Sequence, residues 1–397
     1  MREEILKNLS IETEGKIIFL VMDGLGGLPI NGKTELEAAN KPNIDSLCKE
    51  SILGLMDPIG PGVTPGSGPA HLALFGYDPL KYDIGRGLLS ALGIGFPLSS
   101  SDVCARGNFC TIENGIITDR RAGRIATEKN RELCEILSKI EIEGIKIFTI
   151  PEKEHRFVVI FRGEDLCSCL LDSDPQITGV PPLNVLPKIE VATGSAEIVN
   201  QWISKAGEVL KEQYPANMVL LRGFASYLNI PSFKELYKLN SCCIATYPMY
   251  KGLASLVGMD VLDCGESLET QVNTLHSSFS SYNFFFFHIK GTDKKGEDGD
   301  YEGKVKVIED VDKIIPEILK LNPDLFVITG DHSTPALLKS HSWHPVPLIL
   351  YSKYCIPDGI KEFSERSASK GSLRRFPMQE LMGLVLGYSK KLIKYGA

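Results

Sequence analysis

Asp331 and His332 stand side by side directly after the apolar run LFVIT, and His341 follows nine residues after His332. Asp293 closes HIKGTD, Asp23 closes IIFLVMD, and both again come at the polar end of an apolar stretch. An adjacent carboxylate and imidazole at the carboxyl edge of a sheet commonly present metal ligands, and three or four such donors hold one divalent ion. With Ser67 added, the set Asp23, Ser67, Asp293, Asp331, His332 and His341 is large enough for two ions. Two ions a few ångströms apart are what phosphoryl transfer uses to activate a nucleophile and neutralise developing oxygen charge. Ser67 lies in TPGSGPAHLALFGYDP. Pro fixes φ there and Gly permits positive φ, so the backbone can approach a ligand closely, and helix is expected only from Leu72. A serine on such a turn is the natural nucleophile. The bland readings are that Asp23 is a turn or cap residue, that Thr64 shapes the turn, that His71 packs or caps the following helix, and that His288 is a strand residue near the site.

The elements that must position these residues read as α/β. The runs ending at Asp23, at Arg222 and Gly223 (MVLLRG), near Asp293 (FFFFHIKGTD) and at His332 have the continuous apolar character of buried parallel strands, and VPLILY adds a fifth. Between them, Glu197 to Lys211 and Glu266 to Phe279 each carry apolar residues at helical spacing. This alternation implies a core sheet with helices on both faces. From about Cys104 to Pro187 the chain changes character, with short alternating strands and many arginines, ending in the breaker-rich DSDPQITGVPPLNVLP. The expected organisation is therefore a core of residues 1–100 and 188–397 with a smaller α+β domain, 104–187, inserted into it. Arg120, Arg121 and Arg124 around Gly123, together with Arg106 and Arg156, suit a carboxylate and phosphate clamp, because guanidinium forks bind both groups bidentately. A solvated charged face is the alternative.

Composition narrows the partners. A chain of 397 residues with 43% hydrophobic content is an ordinary globular protein, and its net charge of -7 argues against nucleic acid. No apolar run approaches the roughly 18 residues of a membrane span, and MREEILKNLS has no secretory character, so a cytoplasmic enzyme with a small-molecule substrate is expected. Ten cysteines without a CxxC pair read as reduced, mostly buried thiols. Composition and pattern leave the oligomeric state open.

VMDGLGG, TPGSGPAHLALFGYDP, YDIGRG, RGNF, DRRAGRI, MYKGLASLVGMDV, HIKGTD, ITGDHSTP, HSWHPVP and KYGA, in this order along nearly the whole chain, resemble the archaeal-type, 2,3-bisphosphoglycerate-independent phosphoglycerate mutases of the alkaline phosphatase superfamily. The resemblance implies an alkaline-phosphatase-like core and interconversion of 3-phosphoglycerate and 2-phosphoglycerate through a phosphoserine, without 2,3-bisphosphoglycerate. It implies that Asp23, Ser67, Asp331 and His332 bind one metal ion, with Ser67 as the nucleophile, and that Asp293 and His341 bind a second. The ions implied are manganese, or magnesium, cobalt or zinc in its place. An insert that closes over the substrate is implied to supply arginines, which fits Arg106, Arg120, Arg121, Arg124 and Arg156 as candidates; Lys251, in MYKGLA of the core, is a further candidate read from its charge. Where the family pattern has a metal-binding histidine four residues after Asp293, this chain has Glu297, which reads as a site retuned towards harder metals. His344 falls where the family has an aspartate and is not expected to be a ligand. The alternatives are a phosphomonoesterase or other phosphomutase on the same core, and a non-catalytic relative whose second metal site is impaired.

Overall fold

The computed structural model describes residues 2–82, 84–228 and 230–396. They divide into two compact units, residues 2–82 with 230–396, and residues 84–228.

The first unit is built on an eight-stranded sheet, comprising β1 (Ile17–Met22), β2 (Ser51–Asp57), β8 (Ser241–Ile244), β9 (Asp260–Val261), β10 (Phe284–Ile289), β11 (Leu325–Thr329), β12 (Val346–Ser352) and β13 (Arg374–Pro377), in the order β13-β2-β12-β11-β1-β10-β8-β9. Its centre is parallel: β1 lies between β10 and β11, with Phe19 opposite both Phe286 and Val327. All residues of β1, β10 and β11 are buried, which follows from cover on both faces. On one face Ile18, Leu20, Phe285, Phe287, Phe326 and Ile328 pack with Ile308, Val311, Ile315 and Ile318 of the helix Tyr301–Leu319. On the other, Phe286 meets the ring of Phe75 and Phe284 those of Phe233 and Phe19. VPLILY forms β12 but runs antiparallel to β11 and β2. The 330–345 connection supplies no crossover helix, so the chain can only turn back.

The second unit holds a five-stranded antiparallel sheet of β3 (Asp102–Glu113), β4 (Ile116–Asp119), β5 (Lys146–Lys153), β6 (Arg156–Arg162) and β7 (Met218–Ser226). β7 corrects the expectation that MVLLRG is a strand of the α/β core, because it pairs antiparallel with β3. Val219 and Leu221 enter the main core of this unit and Leu220 a smaller cluster on the opposite face, so the strand is apolar on both sides for a local reason. The amphipathic segment after Glu197 is the helix Thr193–Leu210, which buries Val199, Trp202, Ile203, Ala206 and Leu210 in the same core. The helix Arg86–Gly93 also packs on β3 and β7. The compact unit therefore extends beyond 104–187 at both ends, since the covering helix, the preceding helix and the central partner strand lie outside that span. Among the described residues every cysteine is a free thiol and seven are buried, and no helix is long and apolar enough to cross a membrane.

Candidate active site

Three adjacent parallel strands of the first unit deliver the chemistry at their carboxyl ends. Asp23 follows β1, Asp331 follows β11 by two residues, and Asp293 lies in the first turn of the helix Gly291–Asp298 that follows β10. Ser67 arrives from elsewhere, on the helix Ser67–Leu74. That helix begins five residues earlier than expected, because Pro69 stands in its first turn, where a missing N–H removes no intrahelical bond. The TPG turn thus ends on Ser67 itself.

The groups converge. His332 Nε2 lies 3.3 Å from Asp23 Oδ1, 3.2 Å from Asp331 Oδ2, 3.4 Å from Ser67 Oγ and 4.0 Å from Asp293 Oδ1. His341 Nε2 is 3.6 Å from Asp293 Oδ1 and 3.9 Å from Glu297 Oε1, and the rings of His332 and His341 stack at 3.7 Å. Two overlapping donor groups result, Asp23 with Asp331 and His332, and Asp293 with His332 and His341, each with its ligand atoms within 4.8 Å of one another. All are buried except His341, which is partly so, while Glu297 stands at the exposed margin of the second group.

Hydrogen bonds prepare both imidazoles to bind a cation. The Thr334 hydroxyl donates its one hydrogen to Asp293 Oδ1 at 2.7 Å, so its oxygen accepts from His332 Nδ1–H at 3.0 Å. His341 Nδ1–H donates to the Pro65 carbonyl at 2.9 Å. In each ring the Nε2 lone pair is left facing the carboxylates, the orientation imposed on metal-binding histidines by their outer partners. Burial pushes the His332 pKa down despite Asp331 and Asp23, keeping the ring neutral. Burial opposes ionisation of Asp331, but the His71 imidazole, whose own pKa rises beside this carboxylate, outweighs it and holds the carboxyl well below the usual range. Asp23 Oδ1 is buried with no hydrogen-bond partner among the described residues, while Asp331 Oδ2 has the His71 imidazole at 3.1 Å. An orphaned carboxylate oxygen facing a neutral imidazole nitrogen is what a divalent cation would satisfy, so the residues present fit such an ion. For the half-exposed Glu297, partial burial and then the charge of Asp293 raise the pKa.

Two residues without a site expectation complete the cluster. Tyr250 donates to Asp23 Oδ2, and Lys290 bridges Asp23 Oδ2, at 2.9 Å, and Asp293 Oδ2. Lys290 lies inside HIKGTD, and the only signal for it was its place between a strand end and Asp293. On the helix Pro248–Leu256 it is Tyr250 that reaches Asp23, while the charge of its neighbour Lys251 acts on the thiols of Cys243 and Cys264. Gly24 adopts φ 64°, and a Cβ there would lie 2.5 Å from Thr334 Oγ1. His71 is wholly buried against Tyr250, Phe286 and His288. Its Nδ1 meets Ser67 O at 2.9 Å and Asp331 Oδ2 at 3.1 Å, so it both packs its helix and braces the site. His288 is a buried strand residue whose Nε2 is 3.6 Å from Asp23 Oδ2, and His344 contacts Ser342 Oγ through Nδ1.

The arginines gather in the second unit. On β3, Arg106 and Asn108 share a face with Arg156 of β6 and Arg222 of β7, which register opposite Asn108 and Arg106 respectively. Arg121 and Arg124 come from a turn in which Ala122, Gly123 and Arg124 all have positive φ, at 44°, 62° and 53°. Asp119 holds that turn by accepting from the amides of Arg121 and Gly123, at 2.8 and 2.6 Å. Strained backbone of this kind persists where surrounding structure enforces it and clusters at ligand sites. Burial, then the charges of Arg156, Arg121, Arg106 and Arg124, press the pKa of His155 down to about 4. Arg120 differs, since both prongs of its fork engage Asp174, at 2.9 and 2.7 Å.

A family model described as 2,3-bisphosphoglycerate-independent phosphoglycerate mutase matches residues 48–217. The chain is 51% identical, over its whole length and 99% of the relative, to a Thermotoga maritima protein named "Probable 2,3-bisphosphoglycerate-independent phosphoglycerate mutase". A Thermus thermophilus protein of the same name is 50% identical over 99% of both chains. Among solved structures, a Pyrococcus horikoshii protein matches with a TM-score of 0.85 at 31% identity, covering 97% of this chain and 100% of that one. The cofactor-independent phosphoglycerate mutase from Thermoplasma acidophilum matches with a TM-score of 0.73 at 31% identity, covering 94% and 100%. End-to-end identity at this level, on a fold that gathers the expected donors at one sheet edge, leaves one conclusion: the chain belongs to the 2,3-bisphosphoglycerate-independent phosphoglycerate mutase family.

Proposed function

We propose that the protein interconverts 3-phosphoglycerate and 2-phosphoglycerate, without 2,3-bisphosphoglycerate, through a phosphoserine at Ser67. The observation that carries this reading is Ser67 Oγ at 3.4 Å from His332 Nε2, at the lip of the two overlapping donor groups. Asp23, Ser67, Asp331 and His332 would hold one divalent ion, and Asp293, Glu297 and His341 a second, with manganese preferred and magnesium, cobalt or zinc as substitutes. When bound, the ions lower the pKa of the serine hydroxyl and neutralise charge on the transferring phosphoryl group. Ser67 Oγ forms a bond to phosphorus as the bond to the C3 oxygen breaks, and the proton given up by the serine is taken up by the departing glycerate alkoxide. The glycerate turns, its 2-hydroxyl attacks the phosphoserine, and Ser67 regains a proton. Tyr250 and Lys290 keep Asp23 and Asp293 oriented. Arg106, Arg121, Arg124 and Arg156 take the substrate's carboxylate and phosphate, with Lys251 as a further contact, while Arg120 is held by Asp174. Exclusion of water decides between mutase and phosphatase, because a phosphoserine open to water is hydrolysed. The test is formation of 2-phosphoglycerate from 3-phosphoglycerate without added bisphosphoglycerate, across a metal series, with free phosphate measured in parallel. Phosphate release with no isomerisation would reassign the protein as a phosphomonoesterase.

A further inference from the structure

Behind the donor groups lies a buried charge that no ligand assignment uses. Lys304, in the first turn of the helix Tyr301–Leu319, has no exposed side-chain surface. Its ammonium donates to three backbone carbonyls, Gly24 O at 2.9 Å, Gly26 O at 3.1 Å and Thr334 O at 2.9 Å. Glu35 Oε1 is 3.8 Å away, beyond hydrogen-bond distance, and is itself engaged by the Ala336 amide. All three hydrogens of the lysine therefore go to backbone.

Those carbonyls belong to two loops. Gly24 and Gly26 follow Asp23, and Thr334 follows the Asp331–His332 pair. Each loop meets the donors through the same residues: the Gly24 amide donates to Asp331 Oδ1 at 3.0 Å, and the Thr334 hydroxyl joins Asp293 to His332. The packing has no slack, since a Cβ on Gly296 would lie 2.1 Å from Thr334 O. On the far side Glu365 accepts from the Gly27 amide at 2.8 Å and from the Thr34 hydroxyl at 2.7 Å. A buried ion is weak evidence for stability, because a well-packed apolar residue often does as well. The two ligand-bearing loops also meet directly, the Thr334 amide donating to Gly24 O at 3.2 Å and Gly26 O at 3.1 Å, and the three hydrogen bonds of the lysine gather the carbonyls of that same junction onto one point.

We propose that Lys304 is a positioning residue, a three-pronged clamp that sets the spacing of Asp23 relative to Asp331 and His332 and so tunes ion binding and the chemical step without touching substrate. This rests on the metal-binding reading above. The test is calorimetric titration with Mn2+ of the wild type, Lys304→Met and Lys304→Arg, with kcat, KM for 3-phosphoglycerate and metal-free thermal unfolding measured on each. The expected result is a folded Lys304→Met protein whose Mn2+ Kd is weaker by about 10- to 100-fold, with reduced kcat and KM within about twofold. Lys304→Arg should not restore either value, because a planar fork cannot direct three hydrogens to one pyramid of carbonyls. A folded Lys304→Met protein with wild-type Mn2+ affinity and kcat overturns the clamp alone, whereas a wild type that binds no Mn2+ overturns the metal reading and the clamp with it. If Lys304→Met does not fold, Lys304→Gln is measured in its place, and failure of both to fold makes the lysine purely structural and overturns the proposal.

Discussion

Replacing Thr334 by valine keeps the side-chain shape and removes one hydroxyl that does two things, donating to Asp293 Oδ1 at 2.7 Å and accepting from His332 Nδ1 at 3.0 Å. In the ion-free variant His332 has an escape: its proton can move to Nε2, where Asp23 Oδ1 at 3.3 Å and Asp331 Oδ2 at 3.2 Å accept it. An ion held by Nε2 closes that escape and forces the proton back to Nδ1, now buried and unpaired. An unsatisfied buried donor costs about 1–3 kcal/mol. The hydrogen bond to Asp293 is lost with and without the ion, whereas the His332 cost falls on the loaded state alone and appears as a loss of ion affinity of about 5- to 150-fold. Calorimetric titration with Mn2+ measures it, and metal-free thermal unfolding reports only the hydrogen bond lost by Asp293. Thr334→Ser restores the hydroxyl and should return affinity close to the wild-type value. The reasoning is refuted by a Thr334→Val protein that binds Mn2+ within twofold of wild type, or by one that loses its stability in the absence of metal instead.

Ser67→Ala removes the proposed nucleophile, and mutase turnover should fall by more than about 10³-fold; mass spectrometry of substrate-quenched wild type should find a phosphoryl adduct on the peptide containing Ser67, and its absence there would move the nucleophile elsewhere. Glu297→His should raise Zn2+ affinity relative to Mn2+, read by competition between the two metals, and an unchanged ratio would remove Glu297 from the second site. Asp102 and Asp174 are each held below the usual carboxylate range: burial opposes this, but the hydrogen bonds from Arg162 and Arg120 outweigh it. Depressed folded pKa values give stability that is present above about pH 4 and lost as pH falls. The thermal midpoint of the intact protein should therefore drop between about pH 5 and pH 3, and Asp102→Asn with Asp174→Asn should flatten that slope and lower the midpoint at pH 7; an unchanged slope would mean these pairs carry none of the acid sensitivity.

What was legible in the sequence follows from which signals are local. Asp23, Asp293, Asp331 and His332 are readable because each ends an apolar run, and a parallel sheet buried on both faces has nowhere but its carboxyl edge to put a charge. The same logic misplaced MVLLRG. Its apolar run is as continuous as that of β11, yet it is buried on both faces by clusters of the second unit, and periodicity cannot tell which sheet does the burying. The helix at Ser67 was missed for a smaller reason: a proline that breaks a helix interior is harmless in its first turn. The clustering of Arg106, Arg121, Arg124 and Arg156 was legible as composition, but Arg120, adjacent to Arg121, turns out to be engaged by Asp174, a partner 54 residues away with no sequence mark.

The groups that went unseen share one property. Thr334, Tyr250, Lys290 and Lys304 carry no ligand of their own and act by fixing a proton, an oxygen or a loop, so their residue types are those of any ordinary surface or helix position. Lys304 looks in sequence like one more charge on an amphipathic helix, i+3 from Tyr301, and only the position of Gly24, Gly26 and Thr334 around its ammonium separates it from the solvated lysines further along, such as Lys306 and Lys313. Ligands answer to the chemistry of the ion and must be Asp, His, Glu or Ser. Their supports answer to distances between loops, and many residue types satisfy a distance. The donor set is therefore fixed by element type and strand ends, while the precision of its geometry is set by residues visible only after the chain has folded.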